Sequence, residues 1–155
     1  MRCKKPIFPV ETLNKFCVSF QVSVPFTCGP AVRAITMIAT EPANGTLAVV
    51  TGWGALSSDN TTLPSQLQAV ELSIAVRTAC VSAYAPDRTI TANMVCAGAS
   101  GQGICNGDFG GPLVAGGHLA GIASWATGCA DAQHPGVYTS VGKLKSFVTQ
   151  ETGVQ

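Results

Sequence analysis

The sequence predicts an all-β domain, a barrel-sized set of six short strands with one helix at the C-terminal end. Three observations carry this. The 155-residue chain is 46% apolar and only 11% charged, which describes a packed globule. It holds 17 glycines and 9 prolines, enough to punctuate many short elements. From Ala48 onward, apolar runs of strand length recur between turn signals, whereas no sustained period is visible up to about Thr27.

Taken in order, Ala48–Gly54 reads as the first strand and Leu67–Val76 as the second. The second alternates clearly, with Val70, Leu72, Ile74 and Val76 on a core face and Ala69, Glu71, Ser73 and Ala75 on the other. Met94–Ala97 and Pro112–Ala115 follow as short strands. Leu119–Ala126 is apolar on both faces and so belongs in the middle of the sheet, with Gly121 and Ala123 leaving room for a close neighbour. Gly136–Val141 is the sixth strand. Val141, Leu144, Phe147 and Val148 then share one helical face, and the helix ends in polar residues and Gly153. That helix should pack on the strands.

Charge divides the chain near the same place as pattern does. Residues 1–33 carry five of the nine basic residues and one acid, and residues 34–155 carry four basic residues and seven acids. Residues 1–30 are accordingly set apart as an atypical N-terminal segment and 31–155 as the barrel domain. Arg2, Lys4 and Lys5 resemble a basic leader, but Pro6, Pro9, Glu11 and Lys15 interrupt the apolar stretch that a signal peptide needs. A net charge of +1 with no basic cluster beyond the first residues excludes nucleic acid as a partner class, and no apolar run is long enough for a membrane span. No cofactor and no metal are expected. Seven cysteines without a CxxC pair point to an oxidising compartment, hence to a secreted protein. The sequons Asn44-Gly-Thr46 and Asn60-Thr-Thr62 fit secretion.

Chemistry concentrates in Cys105-Asn-Gly-Asp-Phe-Gly-Gly-Pro112, where the glycines describe a tight turn entering a strand. Such turns present nucleophiles, yet the exposed position holds Phe109. The stretch resembles the nucleophile loop GDSGGPL of trypsin-like serine proteases, with Phe109 where the family has its serine. Further matches run in order: Val50-Thr-Gly-Trp-Gly54, Leu63-Pro-Ser-Gln-Leu67, Met94-Val-Cys-Ala-Gly98, Ile122-Ala-Ser-Trp125, Gly128-Cys129 and Pro135-Gly-Val-Tyr138. The resemblance covers about Ala31 to Val148 and is closest to insect-type trypsins. It implies the second of the family's two six-stranded antiparallel barrels, with the C-terminal helix.

By position, the resemblance makes Gly107 and Phe109 the backbone donors of an oxyanion hole. It makes Asp108 the acid that pairs with a newly cut N-terminus; on the residues alone, an Asx-type turn role stays open. No Ile-Val-Gly-Gly segment is present to supply that amine. The specificity pocket would be walled by Gly103, Ile104, Ser124, Trp125, Ala126 and Gly136. Gly103 stands where trypsins carry the aspartate that binds Lys or Arg, Ile104 is larger than the family's usual small residue, and Ala126 replaces a glycine. A ligand entering it should be small and apolar. The only histidines, His118 and His134, follow the nucleophile loop instead of preceding it, and read as solvated loop residues.

The resemblance also implies disulfides Cys80–Cys96 and Cys105–Cys129, each worth roughly 3 kcal/mol through loop closure. Cys3, Cys17 and Cys28 have no matching partners, and a disulfide would consume the Cys105 sulfur as a substitute nucleophile. Three functions compete. The first is a truncated, catalytically inactive protease homologue acting as a secreted binding protein for a peptide or protein ligand. The second is a serine endopeptidase represented by a defective or incomplete chain, and the third a small structural or inhibitor-like disulfide domain. With one barrel only, an apolar face should be left open to a partner chain, to self-association, or to residues 1–30, whose Phe8, Phe16, Phe20 and Phe26 could fold back over it.

Overall fold

The computed structural model describes residues 22–59, 62–98 and 101–153. Six strands form in the expected places: β1 Leu47–Gly52, β2 Gln68–Ser73, β3 Met94–Ala97, β4 Pro112–Ala115, β5 His118–Trp125 and β6 Gly136–Ser140. They make one antiparallel sheet in the order β2-β1-β4-β5-β6-β3. Its two edges meet just beyond β2, where Ile74 bridges Ala97, Ala75 N–H donates to Cys96 O at 2.8 Å and Gly98 N–H to Ser73 O at 3.0 Å. That contact closes the sheet into a barrel and removes the exposed edges that an open sheet would leave.

The strands fold as their patterns require. In β1 the even residues Ala48 and Val50 are buried and the odd ones face out. The doubly apolar β5 does lie between two neighbours, β4 and β6. Its Gly121 is needed there, since a Cβ would come within 3.0 Å of Tyr138 Cβ and 3.1 Å of Leu113 Cδ2. The core gathers Val50, Leu72, Ile74, Val95, Leu113 and Tyr138 inside the barrel. Val76, assigned to this core face, is instead 48% exposed, because the chain leaves β2 at Ser73 and Val76 caps a helix.

That helix, α1 (Arg77–Tyr84), was not anticipated. Only Cys80 and Tyr84 are buried on it, so it shows no sustained apolar stripe, and it leans on tertiary contacts. Cys80 is bonded to Cys96 of β3, and Arg77 donates to the carbonyls of Thr91 and Met94. The C-terminal helix α2 (Val141–Thr152) buries Val141 and Leu144 and ends at Gly153 in the left-handed conformation, φ 68°.

The segment before β1 is strapped to the barrel. Ile38 N–H donates to Leu119 O and Leu119 N–H to Thr36 O, a short parallel addition to β5. Glu41 reaches Arg77 at 3.4 Å and accepts from Ser140 Oγ at 3.3 Å. Upstream of this strap, residues 22–36 are exposed. Phe26 is 64% exposed, which corrects its expected role in covering the open face; Phe8, Phe16 and Phe20 lie outside the described residues.

Candidate active site

The loop Cys105–Gly111 is fixed from both sides. Asn106 O accepts from Ala55 N–H, Cys105 O from Asp108 N–H and Asp108 O from Gly111 N–H, at 2.8, 3.1 and 2.9 Å. Gly110 N–H then donates to Ala123 O and Ala123 N–H to Gly111 O, stitching the loop to β5. Gly107 and Gly110 take φ of 98° and 89°, values that side chains rarely adopt. The N–H groups of Gly107 and Phe109 donate to no acceptor among the described residues. Phe109 itself is 48% exposed beside them.

Asp108 turns inward. Its Oδ1 accepts from Gly54 N–H at 2.8 Å and its Oδ2 from Cys105 N–H at 3.0 Å. Glycine at 54 is what admits it, since a Cβ there would lie 2.3 Å from the carboxylate carbon. Beside it runs a cleft of about 220 Å³, lined by Val50, Gly52, Gln68, Gly103, Ala130 and the Cys105–Cys129 disulfide. The sequence did not reveal this cleft. Its only signal was the glycine pair at 52 and 54, which reads as a strand end until the carboxylate is placed against it.

The residues expected to wall the specificity pocket divide. Ser124 is exposed, set outward where the β5–β6 register slips between Ala123 and Trp125. Trp125 is half-buried, with Tyr84 edge-on at 4.8 Å and the Arg88 guanidinium 4.9 Å above its ring. Gly103 and Ala126 are partly buried, and Ile104 and Gly136 are buried and in contact. Tyr138, which the motif reading does not single out, is fully buried among them, and its hydroxyl has no hydrogen-bond partner among the described residues. Burial, and the charge of Asp108 second, push its phenol well above the usual tyrosine range.

Neither histidine joins the loop. His118 is exposed at the start of β5, its Nδ1 2.8 Å from Gly116 O, five residues along the strand from Ala123 or roughly 16 Å. His134 sits in the loop before Pro135 with Nδ1 on Asp131 Oδ1 at 3.0 Å and its ring against Tyr84. Hydrogen bonds from Gln133 and His134 hold the Asp131 carboxyl below its ordinary range. Among the described residues no His, Cys, Asp and Glu group could hold a metal ion. Both implied disulfides are formed, while Cys28 lies exposed and Cys3 and Cys17 fall outside the described residues.

Known proteins share this architecture. The Trypsin family model matches residues 5–148, which includes most of the segment set apart on charge and pattern. Trypsin beta of Drosophila erecta is 48% identical over 118 residues, 76% of this chain and 47% of that protein. Trypsin delta of Drosophila melanogaster is 43% identical over 142 residues, 91% of this chain and 56% of that protein. The solved structure of neuropsin, a serine protease expressed in the limbic system of mouse brain, superposes with a TM-score of 0.80 at 33% identity, covering 84% of this chain and 58% of that one. The chain thus spans about half the length of the curated relatives it matches. On the family match, the relatives and the shared barrel together, the chain belongs to the trypsin family of serine proteases.

Proposed function

We propose that this sequence encodes a catalytically inert trypsin homologue, secreted and acting as a binding domain for a peptide or protein ligand. What supports it is the resemblance of Cys105–Leu113 to the loop GDSGGPL, which sets Phe109 against the family's nucleophilic serine. A benzyl side chain has no atom that can attack a carbonyl. The N–H groups of Gly107 and Phe109 donate to no acceptor among the described residues, which suits a bound carbonyl although chemistry cannot follow.

Nor does this stretch of chain hold a base. His118 and His134 are engaged with Gly116 and Asp131. Asp108 is assigned the role of the activation acid, its carboxylate held meanwhile by Gly54 and Cys105. Secretion is supported by the two disulfides and by Asn44, which stands exposed in a turn where its sequon can be reached. A mobility shift on glycosidase treatment of the secreted protein would register it. Purified protein is offered chromogenic amides and esters with small apolar and basic residues; no turnover above background is expected, and turnover blocked by serine reagents would end the proposal.

The second reading, a serine endopeptidase of which this is a defective or incomplete representative, is favoured by the preserved loop and the half-length match. It predicts turnover from a chain extended to its relatives' full length and carrying Phe109→Ser. In the present chain Phe109→Ser alone should remain inert, because an unassisted hydroxyl is a poor nucleophile at neutral pH.

A further inference from the structure

Asparagine is followed directly by glycine at two places in the chain, Asn44-Gly45 and Asn106-Gly107. The fold sets both pairs in the same kind of turn. Thr46 N–H closes one turn on Ala43 O and Asp108 N–H closes the other on Cys105 O, each at 3.1 Å, with asparagine second and glycine third. Gly45 and Gly107 take φ of 78° and 98°, left-handed values that glycine reaches at no steric cost. All four residues are exposed.

The two pairs differ in the glycine nitrogen. Gly45 N–H donates to Ile74 O at 2.8 Å, which commits that nitrogen to the end of the sheet. Gly107 N–H donates to no acceptor among the described residues. The carbonyl of the same peptide differs in the opposite sense: Asn106 O accepts from Ala55 N–H at 2.8 Å, whereas Asn44 O accepts from no backbone donor among the described residues. A hydrogen bond accepted at the carbonyl polarises an amide and eases loss of its N–H proton. Both differences make Gly107 N the better nucleophile.

We propose that Asn106 is a site of spontaneous covalent modification, at which the Gly107 nitrogen attacks the Asn106 side-chain amide carbon. The Gly107 proton passes to base in the solvent, a bond forms between Gly107 N and Asn106 Cγ, and the Cγ–Nδ2 bond breaks with release of ammonia. The product is a five-membered cyclic imide. Water opens it on either side, leaving aspartate or, with the backbone rerouted through the side chain, isoaspartate. Glycine at 107 favours the attack because no side chain shields its nitrogen. The imide has no N–H at position 107, and isoaspartate inserts a methylene ahead of it, so either form spoils the pair of donors made by Gly107 and Phe109. That consequence rests on reading the pair as carbonyl donors, whereas the modification itself does not.

The second Asn-Gly pair supplies the internal control. Releasing a bonded nitrogen before reaction slows an attack about tenfold. Protein made without N-glycan, so that Asn44 is bare, is held at mildly alkaline pH and digested at intervals. Mass spectrometry follows the mass gain of amide to acid in each peptide, and enzymatic methylation of isoaspartate registers the rerouted product. In native protein Asn106 should convert about tenfold faster than Asn44. In concentrated urea, where both turns are lost, the two rates should converge. Asn106→Gln should abolish the fast conversion and leave that at Asn44 unchanged.

Equal rates in native protein, or a faster Asn44, overturn the inference. Fast conversion at Asn106 in a protein that turns over chromogenic amides when fresh supports the modification and ends the inert-homologue reading.

Discussion

Two backbone N–H groups are committed to Asp108, and each needs its carboxylate. Replacing Asp108 by alanine leaves the Gly54 and Cys105 donors without an acceptor in a partly buried loop. A lost acceptor costs about 1–3 kcal/mol, so Asp108→Ala should lower the urea midpoint accordingly. Asp108→Asn keeps one acceptor oxygen and should lose less. Gly54→Ala attacks the same contact from the other side, since its methyl would overlap the carboxylate. Both effects are read by equilibrium unfolding, and a Gly54→Ala protein as stable as the parent would mean that Asp108 is free to turn elsewhere. At this scale the sequence offers residue identities and not their placement. Phe109, Gly107, Asp108 and Ile104 could be named from the motif alone, but that Ile104 spans to Gly136 depends on the width of the barrel mouth.

The strands were legible because period-two alternation and glycine punctuation are local signals, and all six fall within a few residues of the reading. Helix α1 was hidden for an equally physical reason. It buries only Cys80 and Tyr84, and its place is fixed by a disulfide and by Arg77, contacts that local sequence does not display. Helix α2 offers a test with an unusual sign. Gly→Ala inside a helix ordinarily stabilises by about 1 kcal/mol. At Gly142, though, a Cβ would come within 2.7 Å of Thr40 C and 2.8 Å of Glu41 N, both backbone atoms of the strap. Gly142→Ala should therefore destabilise, lowering the melting temperature and exposing the Thr36–Glu41 strap to proteolysis. A rise in melting temperature would show that the strap does not bear on α2.

As a whole molecule the protein hides both of its tyrosines, and this sets its behaviour in alkali. Burial raises the phenols of Tyr84 and Tyr138 above the ordinary value of 10.0. A folded state with raised phenol pKa values holds protons that the unfolded chain has already lost. The stabilisation is complete below pH 10 and is lost as pH climbs through and above it. Ultraviolet titration should find less tyrosinate in native protein than in the unfolded chain near pH 10, with ionisation completed only as the protein unfolds at higher pH. Two independent titrations near pH 10 without unfolding would contradict the burial of these rings.

On the outside, Trp53, Leu56, Leu63 and Phe109 are all at least 48% exposed. The segment expected to cover it is legible only in composition, since residues 1–21 lie outside the described structure and Phe26 stands away from any core. The central claim, that the nucleophile position is chemically empty, is tested most directly by mass. Native protein is incubated with a fluorophosphonate, which forms a covalent adduct with an activated serine. Intact-mass spectrometry should find the unmodified mass after prolonged exposure. One equivalent of adduct, formed by the native protein and abolished by prior unfolding, would contradict the account.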